Sequence, residues 1–173
     1  MIDIATLLIA FSGIFVLGIL SYIDLRTFIL PNIWVAAFAL LGFVFLLIDG
    51  FQEISVHESA YGALAGFWTL YTIRAVGNWY YKQDSLGLGD VKLLGAGGIW
   101  LGLEGVFFAI TVGAFAGLIH GIIYAIYIAY KNKQPINMTR LRIPAGPGFA
   151  AGIIIMGAIQ YHHIIVQSFQ NLF

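Results

Sequence analysis

The sequence predicts an all-α, polytopic membrane protein with about six transmembrane helices, and three observations predict it. Of 173 residues, 61% are hydrophobic and only 9% charged, with a mean hydropathy of +0.93, well outside the usual composition of a soluble domain. Six predominantly apolar segments are separated by short polar breaks, and most approach the roughly 20 residues that a bilayer-spanning helix needs. The charges in those breaks alternate from one side of the expected membrane to the other. Little length remains for anything soluble, so residues 1–173 are read as a single membrane-embedded domain.

The segments run from Ile4 to Ile23, Ile33 to Ile48, Ser59 to Val76, Val91 to Leu103, Val106 to Tyr130 and Pro147 to Val166. The first lacks the basic region and small-residue cleavage site of a signal peptide and is expected to be retained. Pro31 can begin the second, because a missing N–H costs nothing where the helix has unpaired donors anyway. The third and fifth carry small residues at four-residue spacing, Gly62 and Gly66 in one and Gly113, Gly117 and Gly121 in the other, a pattern that lets membrane helices approach closely. The fourth is short and glycine-rich, apolar enough to bury but too short to cross upright, so a tilted or shallow placement is expected.

With six spans, the breaks after the first, third and fifth hold Arg26, then Arg74, Lys82 and Lys92, then Lys131, Lys133, Arg140 and Arg142, which is all eight basic residues of the chain. The opposite side holds Asp3, Asp49, Glu53, Glu58 and Glu104 and no Lys or Arg. Basic loops favour the cytoplasm, so both termini are expected outside a cytoplasmic or inner cell membrane. Dropping the weak fourth span would scatter the basic residues over both faces.

Composition also excludes chemistry. The formal net charge is zero and nothing suggests nucleic acid; the absence of cysteine removes disulfides, thiol nucleophiles and thiolate-bound zinc. His120 in mid-span is expected to be a hydrogen-bonded packing residue, and His162 and His163 to be interfacial. Trp79-Tyr80-Tyr81 suits the membrane interface.

Three acids remain on the basic side: Asp24, Asp84 and Asp90. Asp84 lies in a polar hinge and is read as solvated. Asp24 ends the first span and Asp90 opens the fourth, so both fall at a similar depth near the cytoplasmic boundary. A carboxylate there is costly, and its default reading is functional. Two carboxyl groups held together cannot both ionise easily, so one serves as acid while the other serves as base. With a water between them, the base takes a proton as the water attacks a carbonyl, and the acid stabilises the developing oxyanion. That is peptide hydrolysis without a metal or cofactor. Gly87 and Gly89 in Leu86-Gly87-Leu88-Gly89-Asp90 would let an extended substrate backbone come close, making the stretch a cavity wall. For the pentapeptide alone, the plain alternative is an interfacial turn whose Asp caps the fourth helix. A proton relay in a small carrier would use the same pair, although no related halves of the kind carriers often show are visible.

Together these stretches resemble the type IV prepilin peptidases and the related archaeal preflagellin peptidases, polytopic aspartic proteases with two catalytic aspartates. The first motif, an Asp, an Arg two residues later and then Pro-Asn, stands here as Asp24, Arg26 and Pro31-Asn32; the second, G-x-G-D-x-K, as Gly87 to Lys92. The stretch from Arg142 to Gly148 resembles the family's approach to its last helix. The resemblance implies that Asp24 and Asp90 are catalytic, that the other motif residues support them, and that Lys92 orients substrate or a lipid phosphate, or simply snorkels to the interface. It implies removal of a short basic leader from pilin-like precursors at the cytoplasmic face; membrane lipids are expected as a further partner, and the glycine spacing leaves open packing within the monomer or in a homo-oligomer. Larger bacterial members carry a Cys-x-x-Cys extension and methylate the new amino terminus; the sequence has no such stretch, so peptidase activity alone is expected, with no S-adenosylmethionine site. Intramembrane proteases of the presenilin and signal peptide peptidase type share G-x-G-D, but their Pro-Ala-Leu motif is matched only in part by Pro144-Ala145-Gly146. The basic loop from Lys131 to Arg142 could meet anionic headgroups or gate substrate.

Overall fold

The structure, a computed structural model, describes residues 4–133 and 144–162. These form five helices and, among the described residues, no strand: α1 (Ile4–Thr27), α2 (Asn32–Asp49), α3 (Val56–Tyr81), α4 (Leu88–Asn132) and α5 (Gly146–Gln160). Among the described residues, three stretches are long and apolar enough to cross a membrane, Ala5–Thr27, Asn32–Asp49 and Leu88–Asn132.

Local chemistry sets the ends. Helix α2 starts one residue after Pro31, which is its extended N-cap rather than its first helical residue, and stops at Gly50, whose φ of 67° lets its N–H return to the Leu46 carbonyl. Helix α3 opens on a capping box in which the Ser55 side chain accepts from the Glu58 amide and the Glu58 carboxylate accepts from the Ser55 amide. It runs on to Tyr81, so Trp79, Tyr80 and Tyr81 extend the expected third span instead of following it. Helix α1 likewise continues to Thr27, which leaves Asp24 and Arg26 in its last turn and not in a connecting loop. Phe28, with a φ of 55°, then turns the chain sharply toward α2.

Helix α4 would be far too long for one crossing if straight: at 45 residues it would measure about 67 Å at 1.5 Å per residue, against a hydrocarbon core of about 30 Å. It is not straight. Gly102 sits at φ 68° and ψ −171°, a conformation that glycine alone adopts readily, and there the chain doubles back. A side chain placed on Gly66 of α3 would come within 2.4 Å of the Leu94 carbonyl oxygen and 2.9 Å of the Val106 side chain. Those two residues, about 18 Å apart on a continuous helix, therefore lie side by side. The fourth and fifth segments of the sequence are the two arms of this hairpin, 88–101 and 103–132. Helix α3 packs along it backbone to backbone, Gly62 against Gly98 and Gly102. Helix α5 crosses it with Gly152 on the Ala109 carbonyl and Gly113 against Phe149. The small residues of α3 and of the early 103–132 arm thus serve packing, as their spacing predicts; the backbone of Gly117 passes beside Gly148 of α5, while a methyl on Gly117 itself would meet nothing within 4 Å.

Trp100 ties the hairpin to α1 and α2. Its ring stacks on Phe38 and leans on Phe45 at centroid distances of 5.4 and 5.3 Å, and its indole N–H donates to the Phe38 carbonyl at 3.0 Å. Gly13 and Gly42 make the slot, since a methyl at either would lie 2.9 or 2.5 Å from the indole. The Tyr161 hydroxyl donates to the Trp100 carbonyl. A cavity of about 120 Å³ lies beside this cluster, lined by residues such as Leu7, Ala10, Leu101, Ile154 and Tyr161.

The bundle has two chemically distinct ends. Asp49, Glu53 and Glu58 lie with the Gly102 corner at one; the C-terminal end of α1 and the starts of α2, α4 and α5 meet at the other, which carries Arg26 and Lys92. Arg140, Arg142, Ile143, His163 and the end of the expected last span lie outside the described residues, as does most of the loop from Lys131 to Arg142.

Candidate functional site

Asp24, in the last turn of α1, and Asp90, in the first turn of α4, come together at the basic end, and both are buried at 5% and 7% exposure. The two carboxyl groups are close enough for the charge of Asp24 to act on Asp90. Their surroundings differ. Asp24 Oδ2 accepts a hydrogen bond of 3.0 Å from the backbone N–H of Gly146, the first residue of α5. Asp90 Oδ2 lies against Gly87, the N-cap of its own helix, where a methyl on residue 87 would stand 2.8 Å from it, and the Asp90 Oδ1 is buried with no partner among the described residues. Asp90 thus stands in the first turn of α4, where a cap would stand and where a helix end favours negative charge. A cap needs one oxygen, however, and the second is sealed in protein at a cost that capping does not repay.

The motif residues frame this pair. Lys92 donates through Nζ to Asn32 Oδ1 at 2.9 Å, joining the start of α2 to α4 across sixty residues of sequence. Pro31 holds the extended turn before Asn32. Leu30, buried, fills the place where Gly89 lacks a side chain; a methyl there would lie 2.7 Å from the Leu30 Cβ. Gly87 makes room in the same way for Asp90 Oδ2, at 2.8 Å. The space that the two glycines leave is thus occupied by the chain's own atoms, which corrects the expectation that it admits substrate backbone. Leu86 to Asp90 is also less irregular than expected, since the helix begins at Leu88. Arg26 is exposed, its guanidinium 5.4 Å from the Tyr22 ring centroid, and does not reach the pair.

One further expectation is met with an addition, and one changes. Asp84 is exposed but bound, with Arg74 Nη2 at 2.8 Å and Asn78 Nδ2 at 3.0 Å on the same oxygen. These bonds, with Ser85 on Asn78, fasten the hinge between α3 and α4. His120 is exposed on the 103–132 arm, its ring 6.5 Å from that of Tyr124, and not buried in packing. Among the described residues no three His, Asp or Glu side chains converge as a metal site would require. Sequence reasoning missed Gly146: the stretch around it reads as a helix start, but nothing in its composition places its amide on a carboxylate 122 positions earlier.

Comparison with known proteins follows the same residues. The model of the type IV leader peptidase family matches residues 11–122, a span that contains both aspartates and both motifs. Among curated relatives, the prepilin leader peptidase/N-methyltransferase of Escherichia coli strain K12 is 36% identical over 137 residues, covering 79% of this chain and 56% of that protein. Those of Pectobacterium carotovorum and Aeromonas hydrophila are 31% and 30% identical, covering 61% and 78% of this chain and 37% and 43% of theirs. The chain thus spans between about a third and a little over half of the length of these relatives. No solved structure matches it at comparable stringency.

Proposed function

The chain belongs to the type IV leader peptidase family, and we propose that it is a membrane aspartic endopeptidase that removes the leader peptide from prepilin-like precursors, with Asp24 and Asp90 as its catalytic pair. The observation that carries the reading is the convergence of two buried carboxyl groups from different helices, one of them with an oxygen that no described residue satisfies. A water and a scissile carbonyl would complete what the protein leaves open, since buried polar atoms are otherwise almost always paired. Gly87, Gly89, Pro31, Asn32 and Lys92 act by holding the pair in place.

The pair lies at the end that carries Arg26 and Lys92, and basic residues favour the cytoplasmic side. The cut is accordingly made at the cytoplasmic face of the cell membrane, where an untranslocated leader remains. Membrane lipid surrounds the exposed apolar residues of α1, α3 and the 103–132 arm, such as Phe15, Trp68 and Ile123.

The test is cleavage of a prepilin-like precursor by the protein in membranes, read as a gel shift, for the wild type, Asp24→Asn and Asp90→Asn. Asn keeps the shape and removes the ionisable oxygen. The wild type should cut, and each variant, folded to the same melting temperature within a few degrees, should lose at least about a thousandfold in rate, the scale on which removing a member of a catalytic unit acts. A variant that still cuts near the wild-type rate refutes the assignment; a proton flux across proteoliposomes that either change abolishes, without cleavage, would point to a carrier.

A further inference from the structure

We propose that the two carboxyl groups divide the work unequally, and that Gly146 is a positioning residue whose backbone amide holds Asp24 as the base. The inference rests on the peptidase reading and goes beyond its motifs, neither of which contains Gly146.

Gly146 opens α5, so its N–H is one of the donors that a helix leaves unpaired at its positive end. The next residue, Pro147, has no N–H to offer. The Gly146 amide spends its bond on Asp24 Oδ2 at 3.0 Å, with both residues buried. A bond from an amide to an ionised carboxylate is shorter and stronger than one to a neutral acid, so the contact favours a charged Asp24. It also fixes which oxygen is free: with Oδ2 engaged, Oδ1 is left to take a proton. A methyl on residue 146 would stand 2.7 Å from Oδ2 and 3.1 Å from Cγ of Asp24 and would push the carboxyl out of this place. Asp90 presents the complementary arrangement. Its Oδ2 lies against Gly87 of its own helix end, and its Oδ1 is sealed and unpartnered among the described residues. A negative charge shared onto that oxygen would be uncompensated, whereas an O–H there awaits an acceptor, which the substrate carbonyl supplies.

The proton inventory closes on this division. Water oxygen bonds to the scissile carbon as Asp24 Oδ1 takes one of its protons, and Asp90 gives its own proton to the carbonyl oxygen. The resulting diol collapses: the carbon–nitrogen bond breaks, Asp24 returns its proton to the leaving nitrogen, and Asp90 recovers one from a diol hydroxyl. Both groups end as they began, and one water has been added across the peptide bond.

The experiment uses the full chain in lipid nanodiscs, with steady-state cleavage of a prepilin-like precursor and infrared difference spectra of the carboxyl groups. Gly146→Ala should lower kcat about 10- to 100-fold with KM within about twofold, as displacement of a catalytic group by about 1 Å does. It should also move the ionised carboxylate band that Asp24→Asn removes, and leave the protonated carbonyl band in place. A structural role alone would not select one band. Gly18→Ala, on α1 with nothing within 4 Å of the added methyl, is the control and should change neither. If Gly146→Ala does not fold, replacing residue 146 by glycolic acid deletes the N–H without adding an atom near Asp24, and the same results are expected. Movement of the protonated band, or an unchanged kcat beside an active wild type, overturns this inference alone. A wild type that cuts nothing overturns the peptidase reading and this inference with it.

Discussion

Replacing Gly98 by alanine probes whether the helices approach as closely as the structure has them. The added methyl would lie 2.1 Å from the carbonyl oxygen of Gly62 and 2.2 Å from its carbon, where ordinary contact begins near 3.4 Å. Both obstacles are backbone, so no rotamer change relieves them, and α3 and α4 must separate by roughly 1 Å. Overpacking of this kind costs about 1–3 kcal/mol, and for a chain of this size each kcal/mol lowers the melting temperature by about 2–4 °C. The displacement falls on the 88–101 arm, which carries Asp90 two turns away. Cleavage should therefore drop by about tenfold or more, because reacting groups misplaced by about 1 Å lose about that or worse. The assay is paired: thermal unfolding in detergent and precursor cleavage on one preparation, with Gly117→Ala beside it. Gly117→Ala meets nothing within 4 Å and should match the wild type or gain up to about 1 kcal/mol from helix propensity. A Gly98→Ala protein that melts and cuts like the wild type would refute the backbone contact.

Other consequences are as direct. Lys92→Met and Asn32→Leu each break the one bond between them, so each should reduce activity, and the double variant should be no worse than the more severe single one, a non-additivity of about 0.5–3 kcal/mol in a double-mutant cycle. Trp100→Phe deletes the indole donor to the Phe38 carbonyl and should lower stability by about 1–3 kcal/mol while leaving the cleavage pH profile unaltered. Ser55→Ala removes a cap and should cost about 1 kcal/mol in thermal unfolding. The bonds from the Ser55 amide and hydroxyl hold the Glu58 carboxyl below its ordinary value. A depressed carboxyl stabilises the fold above the unfolded value and loses that contribution as pH falls through the folded one. The melting temperature of the wild type should thus decline slightly more on acidification below about pH 4.5 than that of Glu58→Gln.

Much of the fold is legible because it follows from one-dimensional properties. Apolar length places α1 and α2 to within a few residues, and the pairing of Gly62 and Gly66 with a neighbouring helix is written in their spacing. The candidate pair is legible for a different reason: an acid among apolar residues is rare enough to stand out, and charge alternation puts Asp24 and Asp90 on one side. What the sequence does not carry is what fills space. Gly89 looks like room for a ligand and is room for Leu30; Asp84 is solvated as it looks, and is also tied to Arg74. These contacts depend on how helices distant in sequence cross. The continuation of α1 past Asp24 was likewise hidden, since a polar turn and the last turn of a helix have the same composition.

Because α4 reverses at Gly102, the height of Asp90 is counted from the far side of the molecule. Arm 88–101 behaves as a ruler with its zero at that corner and its mark at the acid. Adding one residue anywhere along it would raise Asp90 by 1.5 Å and swing it by about 100° around the helix, away from a partner whose position is set separately by α1 and α5. Arm 103–132 measures nothing comparable beyond its crossing with α5. Length variation should therefore be tolerated toward the end of that arm and excluded between Asp90 and Gly102, even at positions that touch neither carboxylate.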